Sequence, residues 1–326
     1  MSSESTESTE STDPTDPTEP TDPTDPTDPH PLQKNVEEGQ YLNLAKRIIS
    51  DGYREQGRNG ATRCLFGEKM EFSLENGALP LLTSKKVAWR TCLRELLWFI
   101  SGSTSNDALR LKKVRIWDAN STREFLDGRG LAHLPEGDLG PVYGHQWRHF
   151  GAPYTGCQSD YTGQGVDQLA KVVEQLRTDR QSRRIILCAW NPAQLDEMAL
   201  PPCHAFVQFH VVDGDKLICC LNQRSGDVGL GVPFNIASYA FLTHLLAHHC
   251  GLKAHRLVHF IGNAHVYETH VGALLPQLEQ STTGFPTVTI ESPPDEQRTN
   301  MEDYVEGDFI VEGYVPGAQV KMEMVS

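Results

Sequence analysis

Leu200-Pro201-Pro202-Cys203-His204 runs into Ala205-Phe206-Val207-Gln208-Phe209-His210-Val211-Val212, and beyond Asp213-Gly214 the chain continues Asp215-Lys216-Leu217-Ile218-Cys219-Cys220-Leu221-Asn222-Gln223-Arg224. Two runs rich in Val, Phe, Ile, Leu and Cys on either side of Asp-Gly predict a β-hairpin. If Asp213-Gly214 is the whole loop, Cys203 lies across from Arg224. A longer loop, Asp213 to Lys216, shifts the register and sets Gly226 there instead, with Arg224 still a near neighbour. A guanidinium beside a thiol favours the thiolate, which is the nucleophile, and the two prolines restrict the backbone that aims the sulfur. A small buried core cysteine is the competing reading of Cys203, and the hairpin alone leaves both open.

Downstream, Gln223-Arg224-Ser225-Gly226-Asp227 joins a fork of donors, a hydroxyl, a flexible glycine and a carboxylate. Gly229, Gly231 and Pro233 keep the chain irregular until Asn235 opens a helix through Ile236, Tyr239, Leu242, Leu245 and Leu246, with Asn235 readable as its N-cap. Upstream, Thr91 to Ile100 predicts a helix in which Glu95 sits among Leu93, Leu96 and Leu97. That carboxylate is either on the solvated face or half-buried and tuned to handle protons. Gly39 to Tyr53 and Val166 to Leu176 carry apolar residues at helical spacing. Cys64 to Phe66 and Met70 to Leu74 read as short strands around a turn at Gly67-Glu68, and the glycine-rich stretch 136–144 reads as loop. Arg183 and Arg184 precede a strand, Ile185 to Trp190. Adjacent strand residues face opposite ways, so this pair suits a loop gripping an anion, a neighbouring chain, or plain solvent. Strands and helices do not alternate regularly, which favours an α+β class with a mixed sheet over a doubly wound parallel one.

With 326 residues and 38% hydrophobic composition, the chain holds enough apolar mass for a substantial core. Met1 to Pro31 is almost entirely Ser, Thr, Asp, Glu and Pro; it carries nine carboxylates and neither Lys nor Arg, so most of the net charge of −14 is its own. Residues 1–35 are therefore expected to form a disordered acidic tail, and residues 36–326 one domain. No apolar run approaches the roughly 18 residues of a membrane span, and the polar N-terminus has no signal-peptide core. Eight irregularly spaced cysteines in a chain without a secretion signal are expected as reduced thiols. The location expected is the cytoplasm, with the nucleus left open. His248-His249-Cys250 closes an apolar helix and reads as a helix end rather than a metal site.

Taken together, Glu95-Leu96-Leu97-Trp98-Phe99, Ile116-Trp117-Asp118, Gly137-Asp138-Leu139-Gly140-Pro141-Val142-Tyr143-Gly144, Arg183-Arg184-Ile185-Ile186, Pro201-Pro202-Cys203-His204, Gln223-Arg224-Ser225-Gly226-Asp227, Pro233-Phe234-Asn235-Ile236-Ala237-Ser238-Tyr239 and His265-Val266-Tyr267 resemble thymidylate synthases of the eukaryotic and large-DNA-virus type. The resemblance implies a thymidylate synthase-like fold, a homodimer built back to back through a large sheet, and conversion of dUMP to dTMP with 5,10-methylenetetrahydrofolate, without a metal. It casts Cys203 as nucleophile, Glu95 as organiser of proton transfer, and Tyr143 and His204 as its hydrogen-bond network. Arg224, Ser225 and Gln223, with Arg58 and with Arg183 and Arg184 of the partner chain, would hold the nucleotide and its phosphate. Asn235 would read the uracil edge, and His265 and Tyr267 the ribose. Asp227 would meet the pterin, with Ile116, Trp117, Leu200, Gly231 and Phe234 forming the apolar wall and Lys85 near the glutamate tail.

This sequence departs from the family pattern in places. The stretch from Arg58 to Phe66 is one residue shorter than usual; Asn222, Asn263 and Lys86 replace the common Tyr, Asp and Arg; and the closing segment reads Tyr314-Val315-Pro316-Gly317-Ala318 before the end at Val325-Ser326. Three rivals follow: a deoxycytidylate hydroxymethylase, disfavoured by Asn235; a catalytically weakened relative that binds nucleotide or RNA; and a cysteine hydrolase. The last suffers because Cys203 and His204 would face opposite sides of a strand.

Overall fold

The hairpin forms, and it becomes the middle of a mixed sheet. A computed structural model of the chain describes residues 35–57, 59–292 and 298–324. The expected disorder of the tail, the phosphate role of Arg58 and the final Val325-Ser326 lie outside those residues. The strands are β1 (Tyr53–Gly57), β2 (Gly60–Ser73), β3 (Ile186–Cys188), β4 (His204–Val212), β5 (Lys216–Asp227), β6 (Lys253–Tyr267), β7 (Thr287–Ile290) and β8 (Phe309–Glu312). The helices are α1 (Val36–Asp51), α2 (Trp89–Ile100), α3 (Asn106–Leu111), α4 (Arg123–Gly128), α5 (Tyr143–His149), α6 (Gln168–Thr178), α7 (Gly231–His249) and α8 (Glu268–Leu278). The large sheet runs β1-β2-β6-β5-β4-β3; β5 and β6 are parallel and the other pairs antiparallel, so the α+β expectation holds.

Parallel pairing of β5 with β6 and antiparallel pairing of β4 with β5 have one consequence for the site. The last residues of β5 and β6 and the first of β4 all arrive at the same end of the strands. Asp227 pairs with His265, and His204 with Gln223. One face of the sheet carries Val207, Leu221, His259 and Met70 in one row and Phe209, Cys219, Leu257 and Phe72 in the next, all buried. Helices α7 and α1 pack against it, α7 being buried on nearly every side. The opposite face carries Phe206, Asn222, Phe260 and Lys69 in a row, then Gln208, Cys220, Val258 and Glu71, all half-buried or exposed.

Four expectations are corrected. The hairpin loop is neither of the two lengths expected: Val212 pairs with Lys216, and Asp213 (φ 51°) and Gly214 (φ 83°) are both left-handed. A bulge between His204 and Phe206 then moves the pairing back by one residue, and the Arg224 amide donates to the Cys203 carbonyl at 2.8 Å. The facing pair is recovered through two compensating irregularities. Gly67-Glu68 is no turn: Gly67 takes a left-handed φ of 85° inside β2, while Phe66 and Glu68 stay paired with Asn263 and Ile261. Asn235 does not open its helix, which begins at Gly231. Asn35, assigned to the tail by composition, is the N-cap of α1, its side chain accepting from the Glu37 and Glu38 amides.

Candidate active site

Cys203 is delivered from three sides. Its amide donates to the Tyr143 hydroxyl at 2.8 Å. Tyr143 opens α5 at the end of the glycine-rich loop, and that loop explains its glycines: Gly140 is left-handed (φ 72°), and a Cβ on it would lie 2.1 Å from the Glu197 carbonyl. The Ala199 amide donates to Leu139 at 3.0 Å, so the loop is laced to the stretch just before Cys203. From β5, the Arg224 guanidinium donates to the Pro202 and Pro201 carbonyls, each at 2.8 Å, and its Nη2 stands 3.7 Å from the Cys203 sulfur. Its other neighbour is Trp190, whose ring centre lies 5.4 Å away.

The electrostatics differ from the sequence expectation in one respect. Arg224 does pull the Cys203 thiol towards ionisation, but burial outweighs it and leaves the thiol above its usual range. A dry site charges a sulfur with difficulty, and a single guanidinium also engaged by two carbonyls offsets only part of that. Glu95 is pushed up to about 7 by burial, with the Trp117 indole donating to it at 2.6 Å and working against the shift. The half-buried, proton-handling reading of Glu95 therefore describes its environment. His204 turns away from Cys203: it stacks on Tyr143 at 4.1 Å and shares a 2.8 Å hydrogen bond with the Tyr239 hydroxyl. Burial drops it to about 3, so it is a neutral imidazole and no base for the neighbouring sulfur.

A second line of groups orients Asn235. The His259 ring bonds the Gln223 Oε1 at 2.8 Å, and Gln223 Nε2 donates to Asn235 Oδ1 at 3.0 Å. His259 is lowered by burial to about 3 and stays neutral. The Asn235 oxygen is thus assigned, and its NH2 is the group left to donate elsewhere. Asp227 accepts from the Gly229 amide at 2.8 Å and the Leu230 amide at 3.3 Å. His265 shares a bond with Asn263 Oδ1 at 3.0 Å and meets Tyr267 edge-on at 5.4 Å. Ile116, Leu200, Gly231 and Phe234 are half-buried and Trp117 is buried.

Several expected residues stand elsewhere. Lys85 is buried, its ammonium on the Gly229 carbonyl beside Asp227, and burial lowers it to about 8. Its ammonium is directed into the protein rather than to solvent. Arg183 and Arg184 are exposed at the sheet's edge. Continuing the register in which Ile186 faces Gln208 sets Arg184 near His210, roughly 20 Å along β4 from the Cys203 end. Tyr239, His259 and Trp190 were not singled out from sequence. Tyr239 had a signal, lying four residues after Asn235 on one helix, hence on the same face. His259 had one in its inward position on an alternating strand. Among the described residues no group of three or more His, Cys, Asp or Glu is placed to hold a metal ion, and His248-His249 end α7.

Fold and site define a class: α+β enzymes that gather a thiol, a guanidinium and a proton-holding carboxyl at one end of the strands of a mixed sheet. The particular family follows from comparison. Residues 39–326 match the model of the family described as thymidylate synthase, and the chain belongs to that family. It is 52% identical over 291 residues to the thymidylate synthase of Ascaris suum, covering 89% of this chain and 97% of that one. Identity to the thymidylate synthase of Human herpesvirus 8 type P is 50% over 289 residues, covering 88% and 84%. To the bifunctional dihydrofolate reductase-thymidylate synthase of Leishmania major it is 52% over 293 residues, covering 89% of this chain and 56% of that longer protein.

Proposed function

We propose that Cys203 is the nucleophile of this chain and that the strand ends around it are where dUMP becomes dTMP. As a member of the thymidylate synthase family the chain is a methyltransferase of dTMP synthesis, with methylenetetrahydrofolate as co-substrate. The observation that carries the assignment of Cys203 is its sulfur 3.7 Å from the Arg224 guanidinium, beside a Tyr143 that its own amide bonds and whose charge environment includes Glu95.

Uracil is a poor electrophile, so its carbon 6 needs a soft nucleophile and its carbonyl needs help as charge builds there. The sulfur bonds to carbon 6 and the double-bond electrons move towards carbon 5 and the carbonyl oxygen. Arg224 lowers the cost of forming the thiolate against the burial that raises it, and Glu95, near neutrality, gives and takes protons at the ring. Asn235, with its oxygen fixed by Gln223, offers an acceptor lone pair and an NH2 donor, which match the N–H and carbonyl of uracil and mismatch the bare nitrogen and amino group of cytosine. Arg224 and Ser225 hold the phosphate, and His265 and Tyr267 the sugar. The folate fits the residues present: half-buried Ile116, Leu200 and Phe234 beside Trp117 suit a flat ring face, and the carboxylate of Asp227 suits its N–H edge. When bound it supplies the one-carbon unit and then a hydride. Lys85 supports Asp227 and Gly229 from beneath rather than reaching a folate tail.

We further assign a homodimer in which each chain lends Arg183 and Arg184 to the other's phosphate. What supports it is the uncovered sheet face and the exposed arginines far along β4 from Cys203 in their own chain. One domain from residue 36 onward and a reducing compartment, cytoplasm or nucleus, fit a reaction that needs a free thiol. Dihydrofolate formation, followed by its absorbance with dUMP present and absent, tests the reading. A signal that requires dUMP and disappears in Cys203→Ala is expected; a preference for dCMP, or turnover surviving Cys203→Ala, would overturn it.

A further inference from the structure

We propose that His270 is a positioning residue that fastens the C-terminal segment, residues 314–324, to the loop around Asp227 and so sets the wall the folate ring meets. The proposal rests on the reading of Asp227 given above. His270 lies in α8, is buried, and takes no part in the chemistry. Its Nε2 donates to the Glu323 carbonyl at 2.8 Å, and its Nδ1 stands 3.8 Å from Asp227 Oδ2. That Nδ1 is buried without a hydrogen bond among the described residues. At the junction is Gly229: a Cβ there would lie 3.2 Å from Asp227 Oδ1, from His270 Nδ1 and from Met322 Sδ. The Gly229 carbonyl is taken by Lys85. Four stretches of the chain therefore converge on one glycine, where a Cβ would be tightly packed on three sides.

The near end of the segment is fixed independently. The Tyr314 hydroxyl donates to the Leu82 carbonyl at 2.9 Å and accepts from the Val87 amide at 2.8 Å, and the Gly317 amide donates to Thr83 at 2.7 Å. His270 is the tie at the far end. Its two nitrogens make the same demand, since Nε2 needs a proton to hold Glu323 and Nδ1 needs one to face a carboxylate, and a neutral ring has a single proton for both. Only the imidazolium meets both, and Asp227 holds His270 above the usual histidine range. The other groups facing it are Lys85 from the 82–87 loop, which opposes the charge, and His265 and Tyr267 from β6, the latter ring 5.4 Å away. The tie is therefore strongest below neutrality and loosens as pH rises through the raised value.

The test uses the full chain without ligands, exposed Lys321 serving as a trypsin site. Release of Met322–Ser326, read by mass spectrometry at pH 6.5, is expected to be about fivefold faster in His270→Leu and close to wild type in His270→Gln, which keeps a donor. Release from the wild type accelerates from pH 6.5 to 9, whereas His270→Gln, which cannot titrate, shows no such acceleration beyond that of an unrelated tryptic site. In turnover, His270→Leu is expected to raise the folate KM about tenfold with the dUMP KM and kcat little changed, and to add nothing in a chain ending at Lys321. Equal release from His270→Leu and wild type, a wild-type pH response in His270→Gln, or an undiminished KM effect in the shortened chain would each overturn the proposal. Faster release with an unmoved folate KM would uphold the fastening and sink the reading of Asp227 instead.

Discussion

At the scale of single residues, the site is governed by a contest between burial and charge. Glu95 holds its proton to about 7, against about 4.3 for an exposed glutamate. The folded chain binds that proton more tightly than the unfolded one, so an ionised Glu95 costs stability that grows as pH rises from the unfolded to the folded value. Glu95→Gln removes the cost. The variant is expected to be more stable than wild type at pH 8, by up to about 4 kcal/mol, and to show no advantage near pH 4. Its turnover should fall at least about a hundredfold through loss of proton transfer. Melting curves and kcat across that range check both halves, and a melting gain that persists at pH 4 would contradict the burial argument. At Cys203 the sign is opposite: Arg224→Leu removes the one charge that favours the thiolate, so alkylation by iodoacetamide at pH 8 is expected to slow several-fold, whereas unchanged alkylation would show that Arg224 does not tune the sulfur. Cys203 beside Arg224, and a carboxyl at Glu95 inside an apolar helix, could be picked out from residue type and pattern, whereas Asn235 read only as a helix cap until the resemblance gave it a role. The balance of forces on them was not legible, since Cys203 sits beside an Arg224 already engaged by two carbonyls, in a degree of burial that spacing along a chain does not encode.

At the scale of elements, what positions the site is a set of backbone irregularities. Asp213-Gly214 announced the hairpin, but its register depends on a bulge at Ala205 that has no signature of its own, since Ala fits a regular strand equally well. Gly67 and Gly262 show the same limit. Gly67 reads as a turn and proves to be a left-handed kink in a continuous strand, while a Cβ on Gly262 would lie 2.7 Å from the Arg224 carbonyl. Local sequence gives a glycine's freedom; only the partner strand says how that freedom is used. The glycine-rich loop supplies the clearest prediction. Gly140 combines a left-handed φ with contact on the Glu197 carbonyl, so Gly140→Ala meets strain and a backbone clash together. A loss of about 2 to 4 kcal/mol is expected. Because the loop delivers Tyr143 to Cys203, kcat should fall further than the folded fraction does. Gly151→Ala, which meets the same positive φ but open space, should lose only about 1 kcal/mol. Equal melting of the two variants would remove the clash from the explanation.

At the scale of the whole molecule, the question is what covers the second face of the sheet. Phe206, Asn222, Phe260 and Lys69 form one row and Gln208, Cys220, Val258 and Glu71 the next, with Phe260 39% exposed. A sheet this wide with an apolar-polar mixed face open to water is characteristic of a surface that meets another surface. A second copy of the chain fits, because a two-fold axis lets one patch serve both sides. The arginines give the idea a kinetic consequence. Arg183 and Arg184 lie roughly 20 Å along β4 from their own chain's Cys203, too far to share its phosphate but available to a partner packed back to back. If each site takes its sulfur from one chain and these arginines from the other, Cys203→Ala and Arg183→Ala damage the same site when combined in a heterodimer. One of its two sites then carries both defects and the other carries neither. Chains bearing the single changes, each nearly inactive alone, are therefore expected to regain up to about a quarter of wild-type turnover when unfolded together and refolded at equal amounts: half the dimers are mixed, and each mixed dimer has one intact site. The measurement is dihydrofolate formation in the mixture against the two parents carried through the same cycle. Activity no greater than the mean of the parents, with mixed dimers shown to be present by mass spectrometry, would place the arginines outside the partner's site and leave the open face to some other occupant.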